Sequence, residues 1–212
     1  MSVLSPERWA RLWPAAAEEK LVAECFRQLV ALYSEPHRHY HNQQHIADCL
    51  AEFDRARELA RQPISVELAI WFHDAVYDTR AADNEERSAQ LALAWLSRTH
   101  AEPALMDAVS HLILATKKHD ASLHEDAALL VDVDLSILGQ PQNRFWDYES
   151  QIRAEYSWVP ADIFSGKRAE ILEGFLARRR IYNTDFFFGR LEVQARANLQ
   201  ASIRHLRNPS PV

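Results

Sequence analysis

The chain has little of what strands and tight turns require. Only four of its 212 residues are glycine, and long runs of β-branched residues are missing. Alanine, leucine, glutamate, arginine and glutamine are plentiful instead, and these residues lose little conformational entropy in a helix. Apolar residues make up 48% of the chain and charged residues 25%, as in ordinary globular proteins. The composition therefore predicts an all-α fold.

Other features that the sequence lacks argue against particular classes of protein. The two cysteines, Cys25 and Cys49, are too few for a disulfide framework, so we expect reduced core thiols. No stretch approaches the ~20 apolar residues of a membrane span, and the N-terminus lacks a basic segment followed by an apolar one. The net charge of −6 does not favour binding to a nucleic-acid polymer. We therefore expect a cytoplasmic protein with neither membrane nor nucleic-acid polymer as partner.

Familiar catalytic motifs are missing as well. The sequence has no glycine-rich phosphate loop, no Gly-x-Ser-x-Gly elbow and no setting for a nucleophilic cysteine. It also has no internal repeat and no Gly/Ser linker. We predict one helical domain over residues 1–212, with a functional core at about 35–140 and C-terminal helices at about 142–205.

Helix starts are marked by capping residues. Asn42 predicts the N-cap of one helix, which places His41 outside it, and Asn84 predicts the N-cap of another. Ser65 opens a helix that is apolar nearly all round as far as Phe72, which indicates a central, buried position. Further helical segments are predicted at 126–138, at about 142–156, at about 162–182 and after Thr184.

The central helix ends in two polar residues, His73 and Asp74. A buried carboxylate and imidazole without partners are costly, and a divalent cation removes that cost because both groups become ligands. The alternative is a helix-terminal histidine beside a capping aspartate. His45 near the start of the preceding helix, and Asp134 within an apolar run, favour the metal. Asp132, two residues before Asp134, is the alternative last ligand.

This ordered set resembles the HD superfamily of metal-dependent phosphohydrolases. That family has a histidine, then a His-Asp doublet, then a distant aspartate, each on a different helix of an all-α core. Closer likeness to an uncharacterised bacterial branch covers roughly residues 35 to 200. The stretches that carry the likeness are 38–45 (RHYHNQQH), 71–74 (WFHD), 84–89 (NEERSA) and 132–135 (DVDL).

The resemblance implies a single helical bundle of the HD-domain type and hydrolysis of a small phosphate ester, with nucleotides included. The matched positions His45, His73, Asp74 and Asp134 are then the metal ligands, and Asp74 is also a catalytic group. A mixed nitrogen and oxygen set suits Mn, Fe, Co, Ni or Zn. Two alternatives stay open: a non-catalytic module that binds a nucleotide or a protein partner, and a di-iron oxygenase on the same fold.

Weaker candidates surround this set. His119 is a candidate catalytic group or ligand of a second metal, and could equally contact phosphate or be solvated. Glu85 is a candidate catalytic group, or part of a first turn that the helix dipole favours. The candidate substrate-binding residues are Arg38, Tyr40, His41, Lys117 and Arg144. Six tryptophans and an aromatic C-terminal region leave room for a homodimer.

Overall fold

Helices make up the secondary structure of the protein in a computed structural model that describes residues 4–119 and 125–208. The α-helices in these ranges are α1 (Pro6–Ala10), α2 (Glu19–Leu32), α3 (Gln43–Ala56), α4 (Pro63–Phe72), α5 (Asn84–Arg98), α6 (Pro103–Thr116), α7 (Glu125–Asp134), α8 (Gln142–Glu155), α9 (Ala161–Ala177) and α10 (Asp185–Arg207). Short 3-10 helices cover Arg57–Leu59 and Leu135–Gly139. Neither described range contains a strand, so the all-α prediction is confirmed.

The chain divides into two compact units between Val133 and Asp134. In the first unit α4 packs against α3, α5 and α6, and α1 packs against α2. In the second unit α10 packs against α9, and both α8 and α10 pack against the 3-10 helix Leu135–Gly139. The prediction of one domain over the whole chain stays a prediction.

Helix α4 is the central element of the first unit. Every residue from Ser65 to Phe72 is buried, which agrees with the absence of a polar face in the sequence. The helix begins at Pro63 rather than at the predicted Ser65, because proline suits the first helical position, where its missing N–H has no partner to lose. The carboxylate of Asp126 accepts the N–H groups of the two preceding residues at 2.7 and 2.9 Å, and this anchors the start of α4 to α7.

Helix α3 begins as predicted. Asn42 is its N-cap and accepts the backbone N–H of Gln44 at 2.8 Å. The amide of Asn42 also donates to the carbonyl of His39 at 2.8 Å, so the cap holds the incoming chain. His41 therefore lies outside the helix, and His45 lies in its first turn.

The prediction that Asn84 caps α5 is wrong, because Asp83 holds the cap position and Asn84 is the first helical residue. The Asn84 side chain instead closes the preceding loop: it accepts the N–H of Asp78 at 3.1 Å and donates to the carbonyl of Asp78 at 2.9 Å. An asparagine can serve either purpose, and the sequence alone does not distinguish them.

The second unit departs from prediction at two helix ends. The predicted helix 126–138 changes to a 3-10 helix after Asp134. Gly139 ends that segment, where a Cβ atom would lie 2.5 Å from the Cβ of Leu191. Helix α9 stops at Ala177, five residues before the predicted Tyr182, because Glu192 binds the N–H groups of Ile181 and Tyr182 and holds this segment outside the helix.

The sequence also predicts reduced cysteines, no membrane span and a last helix that follows Thr184. Cys25 and Cys49 are buried free thiols, as predicted. Among the described residues, no helix has the length and apolar character needed to cross a bilayer. Thr184 caps α10, and its side chain accepts the N–H of Phe187, which confirms the last helix start.

The Asn42 cap generates the first test. Asn42→Ala should lower the free energy of unfolding by about 1 kcal/mol, because it removes the acceptor for an otherwise unpaired N–H. Asn42→Asp keeps an oxygen at the same place and should retain most of that stability. Urea unfolding followed by circular dichroism measures both, and an alanine variant as stable as the original chain would contradict the cap.

Candidate metal centre

Two elements of the first unit carry the predicted ligands to one place. His73 directly follows the last residue of α4, and its N–H still bonds to the carbonyl of Ala69 at 2.9 Å. Asp74 comes next, where the chain leaves the helix. His45 lies in the first turn of α3, which packs against α4. The C-terminal end of one helix therefore meets the N-terminal end of the other.

The three side chains converge closely. His45 Nε2 lies 3.1 Å from His73 Nε2 and 3.3 Å from Asp74 Oδ2, and His73 Nε2 lies 3.1 Å from the same oxygen. Both imidazoles are buried, with 2% of each histidine exposed. The sequence prediction that these three residues share a site is consistent with this arrangement.

The tautomer of His73 follows from its second contact. Its Nδ1 lies 2.9 Å from the carbonyl oxygen of Ile70, and a carbonyl oxygen can only accept, so we assign the proton to Nδ1. In the neutral ring, Nε2 then carries a lone pair and faces the carboxylate oxygen of Asp74, which also carries lone pairs. Two acceptors at this distance repel each other, and a cation between them, either a proton on the imidazole or a metal ion, removes that repulsion.

The spacing of the three atoms fits a metal ion. Two ligand atoms bonded to one ion at roughly 2.0–2.1 Å lie about 3.0 Å apart at an octahedral angle and about 3.4 Å apart at a tetrahedral angle. The measured separations of 3.1–3.3 Å fall within this interval. The bond from His73 Nδ1 to a backbone carbonyl is also the usual outer contact of a metal-binding histidine.

The carboxylate of Asp74 is held in its charged form. Burial alone would raise the pKa of Asp74, but the charges of His73 and His41, together with hydrogen bonds from His45 and His73, hold that pKa well below its usual value. Asp74 therefore supplies a permanent negative charge at ordinary pH.

The surroundings of His45 are apolar and aromatic. Cys49, one turn further along α3, places its Sγ 3.7 Å from Nδ1 and 3.8 Å from Nε2 of His45. The ring of Tyr40 lies 4.9 Å from the ring of His45, and Tyr40 is 6% exposed. Tyr40 therefore packs against a candidate ligand, and its predicted contact with substrate stays a prediction.

His41 lies at the edge of this group. It is half-buried, its ring lies 5.7 Å from that of His45, and it stacks on Tyr77 at 4.2 Å with an angle of 30° between the planes. His41 is thus placed beside His45 and Tyr77, and its predicted contact with substrate stays a prediction. Tyr77 was not identified from the sequence, because a tyrosine five residues after the end of a helix has no pattern that marks it.

The loop after the doublet is fixed by α5. Ser88, which is fully buried, accepts the N–H of Val76 at 3.0 Å and donates to its carbonyl at 3.4 Å. The Asn84 side chain closes the next residues of the same loop. Ser88 was not identified from the sequence either, because a serine on an amphipathic helix looks like an ordinary polar residue.

The other candidate catalytic residues of the first unit are His119 and Glu85. In the described part of the chain, ligand atoms of His45, His73 and Asp74 lie within 4.8 Å of one another, and neither His119 nor Glu85 joins that group. Glu85 lies in the first turn of α5. His119 directly precedes residues 120–124, which are outside the described ranges.

The two basic candidates of the first unit are engaged in contacts with the protein. Lys117 Nζ donates to the carbonyl of Ala82 at 2.8 Å and to Glu86 Oε1 at 2.5 Å. Arg38 has a fully buried side chain whose guanidinium contacts backbone carbonyls. These contacts disfavour direct binding of phosphate by either residue, although the assignments stay predictions.

Asp134 and Arg144 belong to the second unit. Asp134 is the last residue of α7 and begins that unit, and Arg144 lies on α8 with its Nη1 3.5 Å from Gln151 Oε1. Asp132 lies within α7 and is fully buried. The predicted roles of Asp134 as a ligand and of Arg144 as a phosphate contact stay predictions.

No family model matches the chain, and no match was found among curated proteins or solved structures. The likeness to the HD superfamily therefore rests on the sequence motifs and their order.

The charge state of Asp74 can be tested in the metal-free protein. Its depressed pKa means that the ionised carboxylate stabilises the folded state above the unfolded value of about 3.8, and that this contribution is lost as the pH falls through the folded pKa. The carboxyl carbon resonance of Asp74 should thus still report the ionised form at pH 3.8, provided circular dichroism shows the fold intact. The same carbon in urea should be half-protonated there; matching titrations in both states would contradict the assignment.

Proposed function

We propose that this protein is a metal-dependent phosphohydrolase that acts on a small phosphate ester. The observation that carries the proposal is the convergence of His45 Nε2, His73 Nε2 and Asp74 Oδ2 within 3.1–3.3 Å in a buried position. The resemblance of the ordered motifs to the HD superfamily supplies the reaction class, since the three side chains by themselves support only metal-assisted chemistry.

His45, His73 and Asp74 are the residues that would hold the metal, with Asp134 as the proposed fourth ligand. Two imidazoles with carboxylates form a mixed set that suits Mn, Fe, Co, Ni or Zn better than Ca. When bound, such an ion lowers the pKa of a water molecule and polarises a phosphoryl oxygen.

The chain itself contributes orientation and charge. The bond to the Ile70 carbonyl fixes the His73 ring, so its Nε2 keeps one direction without loss of rotamer entropy on binding. Asp74 stays ionised and can accept a hydrogen bond from a water molecule beside it, which orients that water. Both roles require groups that are held before substrate arrives, and the buried setting meets that requirement.

His41 is the residue best placed to contact substrate. It is half-buried, lies next to the candidate ligands, and its ring is supported from one side by Tyr77. An imidazole in this position can donate a hydrogen bond to a phosphoryl oxygen. We propose this role for His41 in preference to Lys117 and Arg38, whose donors already bind the protein.

Hydrolysis is tested with metal-stripped protein that is refilled with Mn, Co, Ni or Zn and assayed for phosphate release from nucleotides and other phosphate esters. Asp74→Asn should lower the rate by more than roughly 100-fold, because even outer-shell partners of a metal are worth 10–100-fold. Asp78→Asn is the matched control, since Asp78 is exposed and its carboxylate accepts only a local N–H in the described contacts. It should keep the original rate.

No phosphate release with any of these metals, from folded and metal-loaded protein, would contradict the hydrolase. Tight binding of a nucleotide without turnover would then favour the binding module. Uptake of oxygen by an iron-loaded, coloured preparation would favour the oxygenase.

Metal binding itself is tested by titration calorimetry. We expect one tight site that weakens as the pH is lowered from about 7.5 to about 5.5, because imidazoles with an ordinary pKa of about 6.5 must lose a proton to bind. His73→Gln should abolish this site. His111→Gln, which changes an exposed histidine on α6, should leave it unchanged; equal affinities in all three proteins would exclude His73 as a ligand.

A further inference from the structure

Arg38 occupies an unusual position for a charged residue. It lies between α2 and α3, in the segment that leads to the Asn42 cap, and its side chain has no exposed surface. A buried guanidinium is costly unless its donors are paired. The contacts of the guanidinium therefore indicate what Arg38 contributes to the structure.

The guanidinium binds both segments that carry the candidate ligands. Nη1 donates to the carbonyl of Asp74 at 2.6 Å and to the carbonyl of His41 at 3.1 Å. Nη2 donates to the carbonyl of Ala75 at 2.9 Å, and Nε donates to Glu35 Oε2 at 2.9 Å. Four of the five N–H groups of an arginine are thus used, three of them on backbone carbonyls.

Two tyrosines fix the plane of this group. The guanidinium carbon lies 5.1 Å from the ring centre of Tyr33 and 5.5 Å from that of Tyr77. The hydroxyl of Tyr33 also donates to the carbonyl of Trp71 at 3.1 Å. Burial raises the pKa of Tyr33 well above its ordinary value, so that hydroxyl keeps its proton.

The carbonyls of Trp71, Asp74 and Ala75 lie at or just beyond the C-terminal end of α4. The last carbonyls of a helix have no partner within it and carry a partial negative charge. A positive group that binds the carbonyls of Asp74 and Ala75 sets the direction in which the chain leaves α4, and with it the direction of the Asp74 carboxylate. Its bond to the carbonyl of His41 ties the same point to the segment that enters α3 and His45.

We propose that Arg38 is a positioning residue that holds the His73-Asp74 doublet in register with His45. The proposal rests on the proposed function in one respect, that these three residues are metal ligands. It differs from the sequence prediction of a phosphate contact, because a fully buried fork with four donors in use has no free face for substrate.

A lysine cannot replace this arrangement. Its ammonium is a single centre with three donors, whereas the guanidinium is a planar fork that reaches separate acceptors and lies between two rings. Arg38→Lys therefore keeps the positive charge but loses the planar set of donors. The variant thus distinguishes a positioning role from simple neutralisation of nearby negative charge.

Arg168 offers a matched control in the second unit. It is 9% exposed, its Nη2 donates to the hydroxyl of Tyr148 at 2.7 Å, and its Nε donates to Glu149 at 3.2 Å. Its guanidinium also lies over the Tyr148 ring at 5.2 Å. Arg168→Lys thus disrupts a buried, stacked fork of the same kind whose described contacts do not include His45, His73 or Asp74.

The experiment compares the ring nitrogen resonances of His45 and His73 in metal-free protein, and then the affinity for Co(II). Arg38→Lys should shift both sets of ring signals and weaken cobalt binding roughly 10–100-fold, while Arg168→Lys should leave the ring signals unchanged despite a similar loss of stability. If Arg38→Lys does not fold, Glu35→Gln replaces it. Glu35 is 37% exposed, so this variant should fold, and by loosening Nε it should move the same signals by a smaller amount.

Ring signals that do not move in a folded Arg38→Lys variant, or in Glu35→Gln where that variant is used, would overturn the positioning role, whether or not metal binds. Equal shifts in Arg38→Lys and Arg168→Lys would overturn it too, because the effect would then be general destabilisation. Failure of the original chain to bind cobalt would count against the proposed metal function alone, since the ring signals still decide the role of Arg38.

Discussion

The end of α4 sets the constraint on which the first unit depends. A helix buried along its whole length from Ser65 to Phe72 must leave its last carbonyls unpaired in a place that water does not reach freely. The chain then adds a carboxylate at Asp74. Donors have to be brought to this point from outside the helix, and most of the polar contacts around it serve that need.

Those donors come from the segment that joins α2 to α3 and from α5. Tyr33 and Arg38 supply hydroxyl and guanidinium groups to the carbonyls of Trp71, Asp74 and Ala75. Ser88 supplies both a donor and an acceptor to Val76. Several backbone groups around the candidate ligands are therefore paired by side chains from other elements, and such contacts favour a preorganised ligand set.

The sequence predicts this arrangement only in part. Helix content, the Asn42 cap, the central position of α4 and the grouping of His45 with His73 and Asp74 follow from composition, capping chemistry and motif order. The outer contacts do not, because they depend on which side chains reach a carbonyl across the fold. Arg38 illustrates the limit: a basic residue beside a ligand motif suggests a phosphate contact, and only its burial shows that its donors face inward. Asn84 shows the same limit for a local contact, since a capping residue and a loop-closing residue look alike in sequence.

The proton assigned to His73 Nδ1 has a consequence for proton transfer at the candidate centre. That nitrogen is bonded to the carbonyl of Ile70, a buried residue of α4, and a carbonyl oxygen has no proton to pass on. His73 therefore cannot pass a proton from one ring nitrogen to the other and on to a further acceptor at Nδ1. Asp74 and His41, the partly exposed side chains of this group, lie on the other side, so under the proposed function a proton would leave the centre there. A single backbone oxygen three residues before the histidine thus occupies the ring nitrogen that faces the helix.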